Sequence, residues 1–130
     1  MKYLYYIFAI ITTIVITFYI INQTSPIKVV EKYLKAEENV DKVQMKKYLY
    51  KYKAFKNKKN FDKYIEFLSF MKADKKFTSK LNISKYKKQE YINDNSAEVI
   101  FFNKKQTIFY KLKKIHNKWR IVKFYVIHNK

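Results

Sequence analysis

The side chains that could carry acid–base or metal chemistry are few and scattered. The strand-forming half of the chain has three acidic residues, Glu90, Asp94 and Glu98, and both of its histidines, His116 and His128. A general base must be held rigidly within hydrogen-bond reach of the proton it takes. His116 falls in the turn-like HNK at 116–118, and His128 stands beside the end of the sequence. Two histidines with no neighbouring carboxylate make a poor zinc site. No serine sits in a strand-to-helix elbow, and a chain with no glycine has no phosphate-cradling loop. The absence of cysteine removes thiolate nucleophiles, disulfides and cysteine metal sites. The sequence therefore assigns no catalytic, cofactor-binding or metal-binding residue, and the expectation is a protein that is not an enzyme.

Charge is the other candidate for function. The 130 residues carry a formal net charge of +19. Such an excess suits an anionic partner: lipid headgroups, acidic wall polymer or nucleic acid. Nearly all of it is lysine, with Arg120 the single arginine. Phosphate and base recognition favours arginine's planar fork, so no specific nucleic-acid partner is expected. The excess of Lys, Ile, Asn, Tyr and Phe, with a single proline and no glycine, also matches the codon bias of an AT-rich genome.

The element that would position the whole chain comes first. From Tyr3 to Ile21 runs a 19-residue apolar stretch, preceded only by Lys2 and followed by no charge until Lys28. As a helix it would reach roughly 28 Å, close to the thickness of a bilayer core. Tyr3, Tyr5 and Tyr6 gather at one end and Tyr19 near the other, as interfacial aromatics do. The threonines can bond back to their own helix. No small-x-small cleavage site follows. Residues 1–22 therefore read as an uncleaved signal-anchor, with Tyr3, Tyr5, Tyr6, Ile10, Ile14, Phe18 and Tyr19 as its membrane-facing residues. Lys28, Lys32 and Lys35 favour a cytoplasmic body by the positive-inside rule, whereas the short N-terminal tail has the layout of an export signal. The second is preferred, giving a single-pass protein of the cell membrane with an extracytoplasmic body.

Residues 23–130 form one domain. Ser25 and Pro26 suit a helix start, and Ile27, Val30, Tyr33 and Leu34 recur at helical spacing. Asn39 is the expected cap of a second helix with Met45, Tyr48, Leu49 and Tyr52 on one face. Asn60 is the expected cap of a third, with the stripe Phe61, Tyr64, Ile65, Leu68 and Met71. From Phe77 the period changes to that of strands. The first includes Leu81 and Ile83 and continues toward Tyr91; AEVIFF, TIFYKL and WRIVKFYVI follow, separated by NDNS, NKK and HNK. Asparagine occurs in all three turns, the residue that best tolerates a left-handed backbone where glycine is missing. The fold class is α+β: an N-terminal transmembrane helix, then two or three helices packed on a curved antiparallel sheet of about four strands. Phe61, Tyr64, Ile65 and Leu68 are the expected core of the helical half. Trp119 and Ile121 share a face of the last strand and are expected to pack against them.

Helices followed by long antiparallel strands that end in Lys118-Trp119-Arg120-Ile121-Val122 resemble the nuclear-transport-factor-2-like, or cystatin-like, superfamily. The resemblance covers residues 25–128 and implies a cone-shaped domain, as in small membrane-anchored envelope proteins of unknown function. Enzymes of that superfamily place Asp, His or Tyr inside the cone, and no such position carries over here. The function expected is a non-catalytic binding or scaffolding module at the cell envelope, with the membrane and other envelope proteins as partners. One alternative is a cone that binds or transforms a small apolar ligand. Another is a lysine-rich domain drawn to anionic lipid, wall polymer or nucleic acid.

Overall fold

The computed structural model describes residues 2–22, 25–73 and 85–129, with the side chains of 17–22 excepted. Four helices, α1 (Lys2–Asn22), α2 (Pro26–Glu38), α3 (Lys42–Tyr48) and α4 (Lys58–Ala73), precede four strands. The strands are β1 (Lys87–Asn93), β2 (Ser96–Phe102), β3 (Gln106–Ile115) and β4 (Lys118–His128), paired antiparallel in the order β1-β2-β3-β4. The α+β class holds, with helices first and a four-stranded meander after them.

The expected membrane anchor does not. Helix α1 is continuous, and Thr12 and Thr13 donate back to the carbonyls of Phe8 and Ala9 at 2.8 Å. Among the described residues, however, no helix is long and apolar enough to cross a membrane. The transmembrane helix of the fold class, the signal-anchor and the single-pass localisation with an extracytoplasmic body are corrected accordingly. Tyr3, Tyr5, Tyr6, Ile10 and Ile14 are exposed on α1. Phe18 and Tyr19 lie outside the described side chains.

Helix α2 buries Val29, Val30, Tyr33, Leu34 and Ala36 against the inner face of the sheet, where it meets β1, β2 and β4. Ser25 occupies its cap position but makes no side-chain cap bond. The amide of Ile27 donates instead to Glu90 of β1 at 2.8 Å. A carboxylate at a helix N-terminus satisfies a free amide and opposes the helix dipole. One turn on, Glu31 pairs with Lys88 of β1 at 2.6 Å, so the helix is tied to that strand twice.

Asn39 closes α2 rather than opening α3. Val40 N–H donates to the Glu37 carbonyl and Asp41 N–H to that of Ala36, the double bond of a Schellman ending. Val40 takes the left-handed position (φ 51°) that glycine normally fills. Asp41 is the cap of α3, its side chain accepting from Gln44 N–H at 3.2 Å. Helix α3 stops at Tyr48, earlier than its apolar pattern suggests. Leu49 turns extended and bridges to Ile121, and Tyr50 N–H donates to the Ile121 carbonyl, covering part of the β4 edge. A 3-10 turn at Lys53–Phe55 leads to α4. Asn57, not Asn60, caps α4 by accepting from Asn60 N–H at 2.8 Å. Lys42 of α3 and Lys58 both reach Asp62 of α4, at 2.8 and 3.2 Å.

The hairpin turns follow from their residues. His116 and Asn117 both have positive φ, as the two-residue type I′ link of β3 to β4 requires. Asp94 has positive φ between β1 and β2, and Asn103 accepts the amides of Lys105 and Gln106 between β2 and β3. The inner face of the sheet carries Ala97, Val99 and Phe101, then Ile108, Tyr110 and Leu112, then Trp119 and Ile121, all buried. The register shifts between Lys111 and Leu112, leaving Val122 as an extra residue in β4. Such a bulge bends a sheet. The expected strand residues Phe77, Leu81 and Ile83 lie outside the described residues.

Candidate functional site

The last turn of α2, the middle of α4 and the centre of β3 converge on one carboxylate. The spacing Val30, Tyr33, Leu34, Glu37 follows one face of α2, so the stripe that faces the core ends in an acid. Tyr64 of α4 donates its hydroxyl to Glu37 Oε1 at 2.5 Å. Tyr33 and Tyr110 belong to the same cluster. Burial raises the pKa of all three phenols, and the negative charge of Glu37 adds to the effect. At any ordinary pH they stay protonated, so they can donate a hydrogen bond, as Tyr64 does, and do not act as bases or nucleophiles.

Rings surround this polar point. Phe55 lies 5.2 Å, centroid to centroid, from each of Phe61, Tyr64 and Phe124, and Phe124 lies 6.0 Å from Tyr110. Tyr52 and Phe61 are 5.6 Å apart. Aromatic pairs at these separations add to their burial energy. Phe61 is fully buried, while Tyr64, Ile65 and Leu68 pack half-buried against the core. Trp119 and Ile121 are buried too. Phe124 is the β4 ring that meets Phe55. Lys114 lies over the Trp119 ring at 5.6 Å.

Chemically, a carboxylate among neutral phenols can hold one proton or orient one polar group of a ligand. One of its oxygens is already taken by Tyr64. The other acidic and histidine residues are not brought together. Glu90 caps α2, Asp94 and His116 are in turns, and His128 ends β4. Register places Glu98 on the outer face of the sheet, opposite Lys111. Among the described residues no group of three metal-ligating side chains occurs. The sequence reading passed over Glu37, although an acid in register with the apolar stripe of α2 was its signal.

No family model, curated protein or solved structure matches this chain. The resemblance to the nuclear-transport-factor-2-like superfamily gains no support from these comparisons, and function has to be argued from geometry.

Proposed function

We propose that the chain is a non-catalytic binding module, a packed α+β body that presents helix α1 to a protein assembly. The observation that carries this reading is the uncovered state of α1. Its described large apolar side chains, from Tyr3 to Ile16, are 52–83% exposed. An apolar helix in water forfeits about 25 cal/mol for every Å² left uncovered. A partner that covers it recovers that energy, which is a driving force for assembly. The interior, by contrast, spends its polar groups on itself, as in the bond from Tyr64 to Glu37.

The test uses the full chain with Ile10→Asp and Ile14→Asp. Association in detergent-free buffer, followed by light scattering, should fall, while thermal unfolding of the body keeps its midpoint. Undiminished association would remove α1 from the binding surface. A second reading, a cone that holds a small apolar ligand, draws on the Glu37 cluster. A ligand that raises the unfolding midpoint of the native chain but not of Glu37→Gln would favour it.

A further inference from the structure

The sheet has a second face, and its composition differs from the first. Register sets Ile100, Phe109 and Tyr125 side by side across β2, β3 and β4, with Phe102 and Ile127 in the next row. Ile100, Phe102, Phe109 and Tyr125 are half-buried, and Ile127 is half-exposed. These strands are thus apolar on both faces over this end, the pattern of strands covered on both sides. The core in which α2, α3 and α4 pack on the inner face includes none of these five residues, so among the described residues the outer stripe stands apart from that core.

Charge on this face is one-sided. Beyond the apolar stripe come the rows of Lys111 with Lys123 and Lys113 with Arg120, against a single acid, Glu98. The ion pairs of Asp62 and Glu31 lie elsewhere. Lys111 and Lys123 both fold over the Tyr125 ring, with Nζ 6.0 and 5.6 Å from its centroid. Two ammonium groups drawn to one ring repel each other, and a carboxylate placed between them relieves that repulsion.

We propose that the outer face of the sheet docks an acidic amphipathic helix of a partner protein. The helix lays its apolar side on Ile100, Phe102, Phe109 and Ile127 and its carboxylates on Lys111 and Lys123. This surface is separate from α1 and does not depend on the role given to it. Two other polyanions fit the geometry less well. Phe109 and Tyr125 stack on each other at 4.7 Å and 9°, and the lysines lie over Tyr125, so ring faces are not open for nucleobases. The rings are half-buried, whereas lipid insertion needs projecting apolar tips. A second copy of this chain would set lysine against lysine. A single helix, about 10 Å across, matches three strands spaced about 4.8 Å apart.

The experiment uses the full chain and a labelled synthetic helix with leucines along one side and glutamates on the other. Binding followed by fluorescence anisotropy should saturate and weaken as salt rises. Lys111→Glu with Lys123→Glu should lower affinity at least tenfold. The exposed α2 pair Lys28→Glu with Lys32→Glu makes the same change in net charge and should leave affinity within about twofold. Both pairs are on the surface, and circular dichroism checks that each variant folds. Equal losses from the two pairs would reduce the effect to net charge and overturn the proposal. Preference for phosphatidylglycerol vesicles or a dT oligonucleotide over the peptide, lost in the Lys111/Lys123 variant, would overturn it as well.

Discussion

Removing the hydroxyl of Tyr64 is the sharpest probe of the interior. Tyr64→Phe keeps the ring, its 5.2 Å contact with Phe55 and its place beside Phe67. Only the donor to Glu37 is lost. A hydrogen bond to a charged group contributes about 1.5–3 kcal/mol, and an acceptor left half-buried keeps its desolvation cost. The expected loss is about 2 kcal/mol. At about 4–8 °C per kcal/mol for a domain of roughly this size, the midpoint falls by about 8–16 °C. Glu37→Gln retains an acceptor oxygen but loses the charge, and should cost about 1 kcal/mol. The double variant decides the matter. If hydroxyl and carboxylate interact as the geometry states, the two costs are not additive, and the coupling is about 1 kcal/mol or more. Guanidinium unfolding of the four proteins, followed by near-ultraviolet circular dichroism, measures it. Costs that add to within about 0.5 kcal/mol would refute the bond as a stabilising contact, and with it the view that Glu37 is committed to the fold.

Alkaline titration reads the same cluster. Tyr33, Tyr64 and Tyr110 all have raised folded-state values, so the unfolded chain releases their protons first. Their contribution is complete below about pH 10, the value of a free tyrosine, and declines as pH climbs above it. Stability measured from pH 8 to 12 should hold to about pH 10 and then fall, and Tyr64→Phe should fall less steeply. At the other end of α2, Val40→Asn should stabilise by about 1 kcal/mol, because a β-branched residue at φ 51° is strained where asparagine is tolerated. An unchanged denaturation midpoint would mean that the lost contacts of the Val40 side chain offset the relief.

The parts of the fold that were legible in the sequence are those where one physical rule acts alone. Val30, Tyr33 and Leu34 recur at helical spacing because only one face of α2 meets the sheet. The strands β2 to β4 announce themselves through β-branched and aromatic runs broken by asparagine, and those breaks are the turns. The caps were harder. Asn39 and Asn60 are good cap types placed before apolar stripes, yet Asp41 and Asn57 do the capping. The reason lies at Val40. The Schellman ending of α2 uses Asn39 as its closing residue, which displaces the start of α3 by two positions. No residue preference marks valine for that place. Similarly, Leu49 fits the stripe of a longer α3, but its bridge to Ile121 pulls it out of the helix, a tertiary contact that periodicity cannot foresee.

Glu37 and the outer sheet face share a cause for having been missed. Each is an exception embedded in a regular pattern. Glu37 continues the spacing of an apolar stripe, so it reads as the place where the stripe ends, although Tyr64 meets it from the neighbouring helix. The runs IFF in β2 and FYVI in β4 read as plain strands, although alternation assigns half of their apolar residues to the side away from the helices. A strand that needs one covered face can alternate apolar with polar residues. These strands carry Ile100, Phe102, Phe109, Tyr125 and Ile127 on the far face and place their lysines at one end of it. The apolar side chains favour a covering layer and the lysines give it a sign. The same face that completes no core within the described chain is therefore the one whose charge selects an acidic partner.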